Sequence, residues 1–386
     1  MTLIHALITV IGYAVLSVAA AYAWLSVAAV LRWRMIKTAA ATTRQPSVTV
    51  LKPLCGAEPG LYRHLRSFCR QDYPDYQIVF GVHDPADPAL AAVRRLVSEF
   101  PSLAIDVVIN PQQHGSNRKI SNLISMLACA RHDLLVIADS DVFVGPDYLS
   151  SVTAPLRDAR VGLVTCLYHD VPTARPWSRL GAMYVNEWYM PAVLLAWLFG
   201  HEGYVSGQTL CLRRDTLEGI GGLPVIVNHL ADDHRLGELV RAQGLKIVLS
   251  RYMVNAEHHE PDWRALVGHE RRWMRTLKVL RPRSFRWIFL SFSLPPAIFG
   301  LALVAAGQTL TISAWLLFCS ALTARLLLHF VHRLRDDRGL WSDLWLLPAR
   351  ELLICWVWYL SFFSSHIRWR DSEFDVDANG VMHRLS

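Results

Sequence analysis

The stretch Leu134-Leu135-Val136-Ile137-Ala138-Asp139-Ser140-Asp141 decides the fold of this chain. Its apolar part is continuous and includes β-branched residues, which is typical of a strand buried on both faces of a parallel sheet. Asp139 and Asp141 follow at once, and residues two apart on an extended backbone point to the same side. Two carboxylates at the carboxyl end of a strand suit a divalent ion that also holds a diphosphate.

Strands alternate with helices around this stretch. That alternation predicts an α/β fold with a mostly parallel sheet of the nucleotide-binding kind, whose carboxyl-end edge collects the ligand-binding residues. The predicted strands cover 48–51, 76–82, 104–109, 134–138, 161–168, 204–212 and 245–249, and the main predicted helices cover 61–70, 88–100, 119–130, 232–243 and 263–280.

The ends of the chain are apolar enough for a membrane. Hydrophobic residues make up 53% of the 386 residues and charged residues only 18%, which is apolar for a soluble protein. The run from Leu3 to Leu31 is long enough to span a bilayer. Arg32, Arg34 and Lys37 follow it, so the positive-inside rule predicts that the chain emerges into the cytoplasm.

Three further apolar segments close the chain, at 287–306, 310–331 and 344–363. Pro348, Arg350 and Glu351 interrupt the last one, so it is either kinked or re-entrant instead of spanning. The predicted organisation is an N-terminal transmembrane anchor (1–38), a catalytic domain (45–260), an amphipathic interfacial helix (261–284), C-terminal transmembrane segments (285–366) and a C-terminal tail (367–386).

The formal net charge of +7 does not indicate a nucleic-acid partner. The basic residues sit mostly beside apolar segments instead of forming one basic patch. A lipid bilayer with an anionic surface and an anionic substrate explain them better.

Other charged residues could join the acidic pair. Asp84 ends a predicted strand and could accept hydrogen bonds from a base or ribose, or could be a turn residue before Pro85. Lys119 opens a helix and could meet phosphate, or could be a solvated helix start. Asp232 and Asp233 begin another helix: one carboxylate suffices for capping, which leaves the other to take a proton from a hydroxyl.

The sequence His269-Glu270-Arg271-Arg272-Trp273 lies in the basic amphipathic helix. Arg272 could pair with phosphate in a bidentate manner, and Trp273 offers a flat face to a sugar or a lipid ring. The alternative is a membrane-surface helix with snorkelling cations.

The order of these motifs resembles the processive-type membrane glycosyltransferases of GT-A fold, whose signature is D, D(x)D, D, (Q/R)xxRW. The resemblance covers nearly the whole chain and is strongest to the ceramide glucosyltransferases. It rests on stretches such as Leu51-Lys52-Pro53-Leu54, Gln71-Asp72-Tyr73-Pro74 and Gly221-Gly222-Leu223. A bacterial branch in hopanoid biosynthesis is a closer match still, around 52–59, 114–117 and 137–142. That branch moves N-acetylglucosamine from a UDP donor to bacteriohopanetetrol.

The resemblance implies a role for each motif. Asp84 is expected to contact the uridine, Asp139 and Asp141 the diphosphate and a Mg²⁺ or Mn²⁺ ion, and Asp233 to be the catalytic base. Lys119, Arg272 and Trp273 are expected at the donor, with Asp232 as a further candidate. His269 stands where the family has Gln or Arg, which puts the usual hydrogen bond of that position in doubt.

The resulting hypothesis is an inverting, metal-dependent glycosyltransferase of the bacterial inner membrane, multi-pass, with a cytoplasmic GT-A domain. The expected partners are a UDP-sugar donor and a hydroxyl-bearing membrane lipid, with N-acetylglucosamine and bacteriohopanetetrol as the first pair. The alternatives are a ceramide glucosyltransferase that uses UDP-glucose, and a non-enzymatic UDP-sugar-binding membrane scaffold.

Overall fold

The computed structural model describes residues 3–36, 45–201, 203–334, 339–363, 366–369, 372–377 and 379–385. The chain forms two compact units. We call one the sheet unit (Lys37–Thr173, His201–His259 and His366–Ser386) and the other the helical unit (Met1–Ile36, Ala174–Gly200 and Glu260–Ser365). The domain limits given above stay predictions, because this division follows contacts and not function. Lys37, the last basic residue after the first apolar run, lies outside the described residues.

The predicted α/β fold class is confirmed by the strands. They are β1 Val48–Pro53, β2 Tyr76–Val82, β3 Ala104–Ile109, β4 Leu134–Ile137, β5 Val142–Phe143, β6 Val161–Asp170, β7 Leu210–Arg213, β8 Lys246–Ala256, β9 His366–Trp369, β10 Ser372–Val376 and β11 Met382–Arg384. The first eight form one sheet in the order β3-β2-β1-β4-β7-β6-β8-β5, and the last three form a second sheet.

The helices complete the alternation. They are α1 Leu3–Met35, α2 Leu61–Phe68, α3 Ala89–Glu99, α4 Arg118–Leu127, α5 Tyr148–Thr153, α6 Pro176–Tyr184, α7 Met190–Leu198, α8 Arg214–Gly219, α9 Asp232–Ala242, α10 Trp263–Leu280, α11 Leu294–Gly307, α12 Ile312–Arg333 and α13 Leu347–Leu360.

The large sheet is mixed, since β7 and β5 pair antiparallel with their neighbours whereas β6 and β8 form a parallel pair. Strands β3, β2, β1 and β4 run parallel, whereas β7 is antiparallel to both of its neighbours, β4 and β6. Every residue of β4 is buried, as its apolar sequence predicts. The core on one side of it includes Ile137 together with Leu123 of α4 and Leu236 of α9. The packing of α4 and α9 on one core therefore carries their first turns to the edge where β4 ends.

The predicted strand at 204–212 is too long by six residues at its start, since β7 begins at Leu210. Side chains take up the backbone groups that precede it. The Ser206 N–H donates to Thr165 Oγ1 (3.0 Å), and the Gly207 N–H donates to Asp233 Oδ2 (2.9 Å). These N–H groups are therefore not available to a strand ladder.

Among the described residues, two helices of the helical unit are long and apolar enough to cross a membrane, α1 with 33 residues and α12 with 22. The apolar segment predicted at 287–306 is not one helix. It consists of a 3₁₀ helix, Phe285–Ser291, and α11, which are bent by 87° at the break between them. Two consecutive prolines, Pro295 and Pro296, open α11, and proline favours the first turn of a helix over its interior.

The last apolar segment contains α13, whose 14 residues are fewer than the roughly 20 that span a bilayer. Pro348 lies in its first turn, so it starts the helix and does not kink it. The helix α10 agrees with its prediction and buries one face, with Leu266, Glu270 and Met274 at four-residue spacing. That α10 lies on a membrane surface stays a prediction.

The charged residues within the apolar segments form buried ion pairs. Glu187, on the π-helical turn Val185–Tyr189, accepts from Arg325 (2.7 Å), and its other oxygen lies 2.9 Å from His329 Nδ1. Arg325 also donates to Glu351 (2.6 Å). Since an unpaired charge in an apolar interior is costly, these pairs explain how such residues are tolerated there.

Arg350 forms the most complete of these pairs. Its two terminal nitrogens donate to the two carboxylate oxygens of Glu270, at 2.5 and 2.8 Å, and both side chains are buried. This pair joins α13 to α10, so Glu270 of the His269–Trp273 sequence has a structural role.

Replacement of Arg350 by methionine should leave Glu270 buried without a counter-charge. We expect the free energy of unfolding, measured by denaturant titration in detergent, to fall by about 3–5 kcal/mol. The double variant R350M/E270M should regain most of this loss. R160M removes the exposed pair between Arg160 and Asp158 and should leave stability unchanged. Equal stability of R350M and the wild-type protein would contradict this role.

Candidate active site

The acidic triplet lies at the carboxyl end of β4, as predicted. Ala138 extends the pairing of β4 with β1, because its N–H donates to Leu51 O (3.2 Å). Asp141 Oδ1 is buried and has no hydrogen-bond partner among the described residues. Asp141 Oδ2 lies 3.4 Å from His258 Nε2. Burial raises the pKa of Asp141 above its usual value.

Two lysines approach Asp139. Lys119 Nζ lies 2.6 Å from Asp139 Oδ1 and 3.9 Å from Asp232 Oδ2. Lys52, which is fully buried, donates to the backbone oxygen of Asp139. Burial lowers the pKa of Lys52 to about 7, although Asp141 and Asp139 act in the opposite direction. Burial also lowers the pKa of Lys119, but Asp139 and Asp232 outweigh it, so this lysine stays charged.

The two aspartates at the start of α9 have different partners. Asp232 Oδ1 accepts from Asn117 Nδ2 (3.1 Å), whose own oxygen caps α4. Asp233 Oδ2 accepts from the Gly207 N–H and Asp233 Oδ1 from the His234 N–H (2.7 Å). Ala231 occupies the cap position, so neither aspartate is the N-cap residue. Asp233 Oδ1 nevertheless takes up one N–H of the first turn of α9, so capping and proton acceptance both stay predictions for this pair.

Burial raises the pKa of Asp233 to about 7, and the neighbouring Asp232 adds to the rise while Lys119 opposes it. A carboxyl group with such a pKa releases its proton near neutral pH, where a general base is most effective. Burial also raises the pKa of Asp232.

Gly207 is the point where these groups converge. A Cβ atom placed on it would lie 3.0 Å from Lys119 Nζ. The same atom would lie 3.6 Å from Asp139 Oδ2 and 3.7 Å from Asp233 Oδ2. The predicted metal-binding carboxylate, the predicted base and the predicted phosphate-binding lysine thus surround one residue that has no side chain.

A pocket opens beside the acidic triplet. It is lined by polar groups from the ends of β2 and β4 and from the first turn of α4, and by apolar residues that follow β1. Its lining consists of Pro53, Leu54, Cys55, Glu58, His83, Ser116, Arg118, Lys119, Asn122, Asp139, Ser140, Asp141 and Phe374. Asp233 is not among these residues, so it borders the triplet from another side.

Asp84 is exposed at the carboxyl end of β2, and its Oδ1 accepts from the Ala86 N–H (2.8 Å). This is the turn geometry that the alternative interpretation expected. Its neighbour His83 lines the pocket and lies within hydrogen-bond distance of Asn110 O and Arg118 O. The uridine contact of Asp84 stays a prediction.

Arg272, Trp273 and His269 lie on α10 in the helical unit, whereas the carboxylates above lie in the sheet unit. His269 Nδ1 lies 2.6 Å from Glu260 Oε1, and the rings of His269 and Trp273 have centroids 4.1 Å apart. The Trp273 ring also stacks on Tyr184, at 5.3 Å. The roles of Arg272 and Trp273 at the donor stay predictions.

The acidic residues fit a divalent cation that the protein ligates only in part. Asp141 offers a buried carboxylate oxygen without a partner, next to Asp139. No group of three or more His, Cys, Asp or Glu that could enclose an ion occurs in the part of the chain that the structure describes. Mg²⁺ usually keeps only one or two carboxylates and takes its other ligands from substrate phosphates and water.

Sequence reasoning missed several residues of this region, including Lys52, His83, Gly207 and Phe374. Lys52 and His83 each had a signal, since they lie in or beside motifs that were recognised. Gly207 and Phe374 gave none, because long-range packing alone brings them to the site.

The strand order, the antiparallel β7 and the Asp139-Ser140-Asp141 sequence after β4 are those of the GT-A fold. The mannosyltransferase PcManGT of Pyrobaculum calidifontis, solved in complex with GDP-Man and Mn²⁺, has a similar structure, with a TM-score of 0.55. At 19% identity over 92% of this chain and 99% of that chain, the likeness concerns the fold.

Residues 10–382 match the family described as Glycosyl transferase family 21, and the chain belongs to this family. It is 26% identical over 211 residues to ceramide glucosyltransferase 1 of Caenorhabditis elegans, a match that covers 54% of this chain and 44% of that protein. It is 21% identical over 354 residues to ceramide glucosyltransferase 3 of the same organism, covering 87% and 74%. The match to the first relative thus spans less than half of that relative's length.

We expect Gly207→Ala to weaken the binding of UDP with Mn²⁺, measured by calorimetry, by about tenfold or more, because the added methyl group displaces Lys119 from Asp139. Gly203→Ala is the control, since a Cβ there makes only ordinary contacts at 3.7 Å and beyond, with Arg241. Both variants should melt near the wild-type temperature. Unchanged nucleotide affinity in G207A would show that Gly207 does not border the donor.

Proposed function

We propose that the chain transfers a glucosyl group from UDP-glucose to the hydroxyl of a ceramide-type membrane lipid, with inversion at the sugar carbon. The convergence of Lys119, Asp139 and Asp233 around Gly207 carries this proposal. This convergence supports a base that lies next to the diphosphate, as direct displacement requires. The names of the curated relatives support glucose and ceramide as the substrates.

In this mechanism Asp233 takes the proton of the acceptor hydroxyl while the hydroxyl oxygen attacks the sugar carbon. The bond from that carbon to the diphosphate breaks in the same step, so no covalent sugar–enzyme species is needed. The Gly207 and His234 N–H groups hold both oxygens of Asp233 and thereby orient its carboxylate.

Lys119 would hold the leaving diphosphate by charge, and Asp139 and Asp141 would hold Mg²⁺ or Mn²⁺. When bound, such an ion neutralises charge that develops on the leaving group. Arg272 and Trp273 are proposed to contact the diphosphate and the acceptor.

A second candidate is the transfer of N-acetylglucosamine to bacteriohopanetetrol. The observation in its favour is the likeness of 52–59, 114–117 and 137–142 to the hopanoid branch. For either substrate pair we propose a location in the bacterial inner membrane with the sheet unit in the cytoplasm, which is supported by Arg32 and Arg34 at the end of α1.

A turnover assay on the purified protein in nanodiscs tests the proposal. UDP-glucose and UDP-N-acetylglucosamine are each offered with ceramide and with bacteriohopanetetrol, with Mn²⁺, with Mg²⁺ or with a chelator. Glucosylceramide of inverted configuration is the expected product. Transfer only to the hopanoid would support the second candidate, and retained configuration would overturn the mechanism. Binding of UDP-sugar without turnover of any pair would favour the non-enzymatic scaffold.

We expect Asp233→Asn to lower the turnover number by several orders of magnitude, because the amide is similar in shape but cannot accept the proton. Binding of the UDP-sugar should stay within a few fold of the wild-type value. Glu238→Gln on the same helix, whose carboxylate is exposed, is the matched control and should retain full activity. A loss of less than tenfold in D233N would rule out Asp233 as the base.

The pH profile offers a separate test. The pKa of Asp233 is raised to about 7, and only its ionised form is a base, so kcat/KM should fall as the pH falls through about 7. Lys119 lowers this pKa, so Lys119→Met should move the midpoint of the pH profile to higher pH. The same substitution should also weaken binding of the UDP-sugar. Lys246→Met, at an exposed position, should leave the midpoint in place. A midpoint that stays fixed in K119M would contradict this assignment.

A further inference from the structure

The C-terminal residues form a small antiparallel sheet of their own. Strand β10 pairs with both β9 and β11. Phe374 and Val376 on β10 and Met382 on β11 are buried, at 5%, 8% and 2% exposure, so this sheet has one packed apolar face. Residues 366–386, which we call the tail, belong to the sheet unit.

The tail is attached to two loops that lead into the site. Met382 N–H donates to Asn228 O (2.8 Å), and Met382 O accepts from Ser116 Oγ (3.0 Å). Leu230 N–H donates to Gly380 O (2.9 Å). Ser116 lies two residues before the start of α4, and Leu230 two residues before that of α9. The tail therefore bonds to the chain just before the helix that carries Lys119 and just before the one that carries the predicted base.

Phe374 brings the tail into the pocket itself. The Phe374 side chain lines the pocket whose apolar wall contains Pro53 and Leu54 and whose polar wall contains Asp139 and Lys119. It is the aromatic carbocycle in that lining, where the other ring systems are those of His83 and Pro53.

The order of the chemical groups in a nucleotide sugar indicates which of them lies against the Phe374 ring. A nucleotide sugar has its diphosphate between the nucleoside and the sugar. The sugar carbon must reach Asp233, which does not line the pocket, and the diphosphate must reach Asp139 and Lys119, which do. The pocket beyond the diphosphate is therefore left for the nucleoside.

We infer that the tail closes the nucleoside end of the donor pocket and that Phe374 packs against the base of the nucleoside diphosphate. This inference rests on the proposed function, since it takes the donor to be a nucleotide sugar. An aromatic ring against a base contributes enough binding energy for a loss of about 5- to 100-fold in affinity on truncation.

The test compares two ligands on the full chain in nanodiscs. Binding of UDP and of inorganic pyrophosphate, each with Mn²⁺, is measured by calorimetry for the wild-type protein and for F374A, F374W, V376A and E373A. Val376 is a buried apolar residue of the same strand that does not line the pocket, and Glu373 is exposed on it.

F374A is expected to lose about 5- to 100-fold in affinity for UDP and to bind pyrophosphate as the wild-type protein does. F374W should keep most of the UDP affinity. V376A should lower the melting temperature without changing the ratio of the two affinities, and E373A should change neither.

Equal UDP affinity in F374A and the wild-type protein would overturn the inference. So would an equal loss for UDP and pyrophosphate in both F374A and F374W, because the ring would then support the pocket without meeting the base. Absence of UDP binding in the wild-type protein would instead overturn the proposed function, so the two failures are distinguishable.

Discussion

An excess of buried negative charge at the end of β4 is the constraint on which the site depends. Four carboxylates meet two ammonium groups there: Asp139, Asp141, Asp232 and Asp233 with Lys119 and Lys52. The close pair of Lys119 and Asp139, at 2.6 Å, compensates one charge, and the remaining excess contributes to the raised pKa of Asp233. A free diphosphate would be repelled by such a site, whereas a diphosphate that arrives with a divalent cation would not. Burial and this charge excess together raise the pKa of Asp233, and the same excess favours a diphosphate that arrives with a cation.

The sequence predicts those parts of this arrangement that depend on residues close together in the chain. The apolar run of β4 predicts a buried strand, and the parallel strands predict that Asp139 lies at a ligand-binding edge. The position of Asp233 next to the same edge could be expected only from the resemblance, because 94 residues separate Asp139 from Asp233 in the sequence. Gly207 could not be found at all, since its importance is the absence of a side chain at a point that three distant segments share.

The charged residues of the apolar segments could not be interpreted correctly from the sequence alone. Arg350 and Glu351 look like interruptions of a membrane span when the segment is read alone. In the fold they are paired with Glu270 and Arg325, which lie 80 and 26 residues away. Pairing of this kind is a property of two segments together, so neither sequence predicts it. These ion pairs also fix the buried face of the short helix α13 to α10 and α12.

The tail is the part of the chain that follows the helical unit and belongs again to the sheet unit. The chain leaves the sheet unit at His259 and returns to it with β9. A chain that leaves one compact unit and re-enters it crosses a bilayer an even number of times in between, so a crossing by α12, which its length and composition allow, would require a second one between these points. Helix α13 is too short to provide it alone. The bent pair of Phe285–Ser291 and α11 is the other described segment in this region with the necessary apolar length. The break between the two parts of this pair lies at residues 292–293, and the aromatic contacts of Phe292 with Trp188 and Trp358 pack the bend.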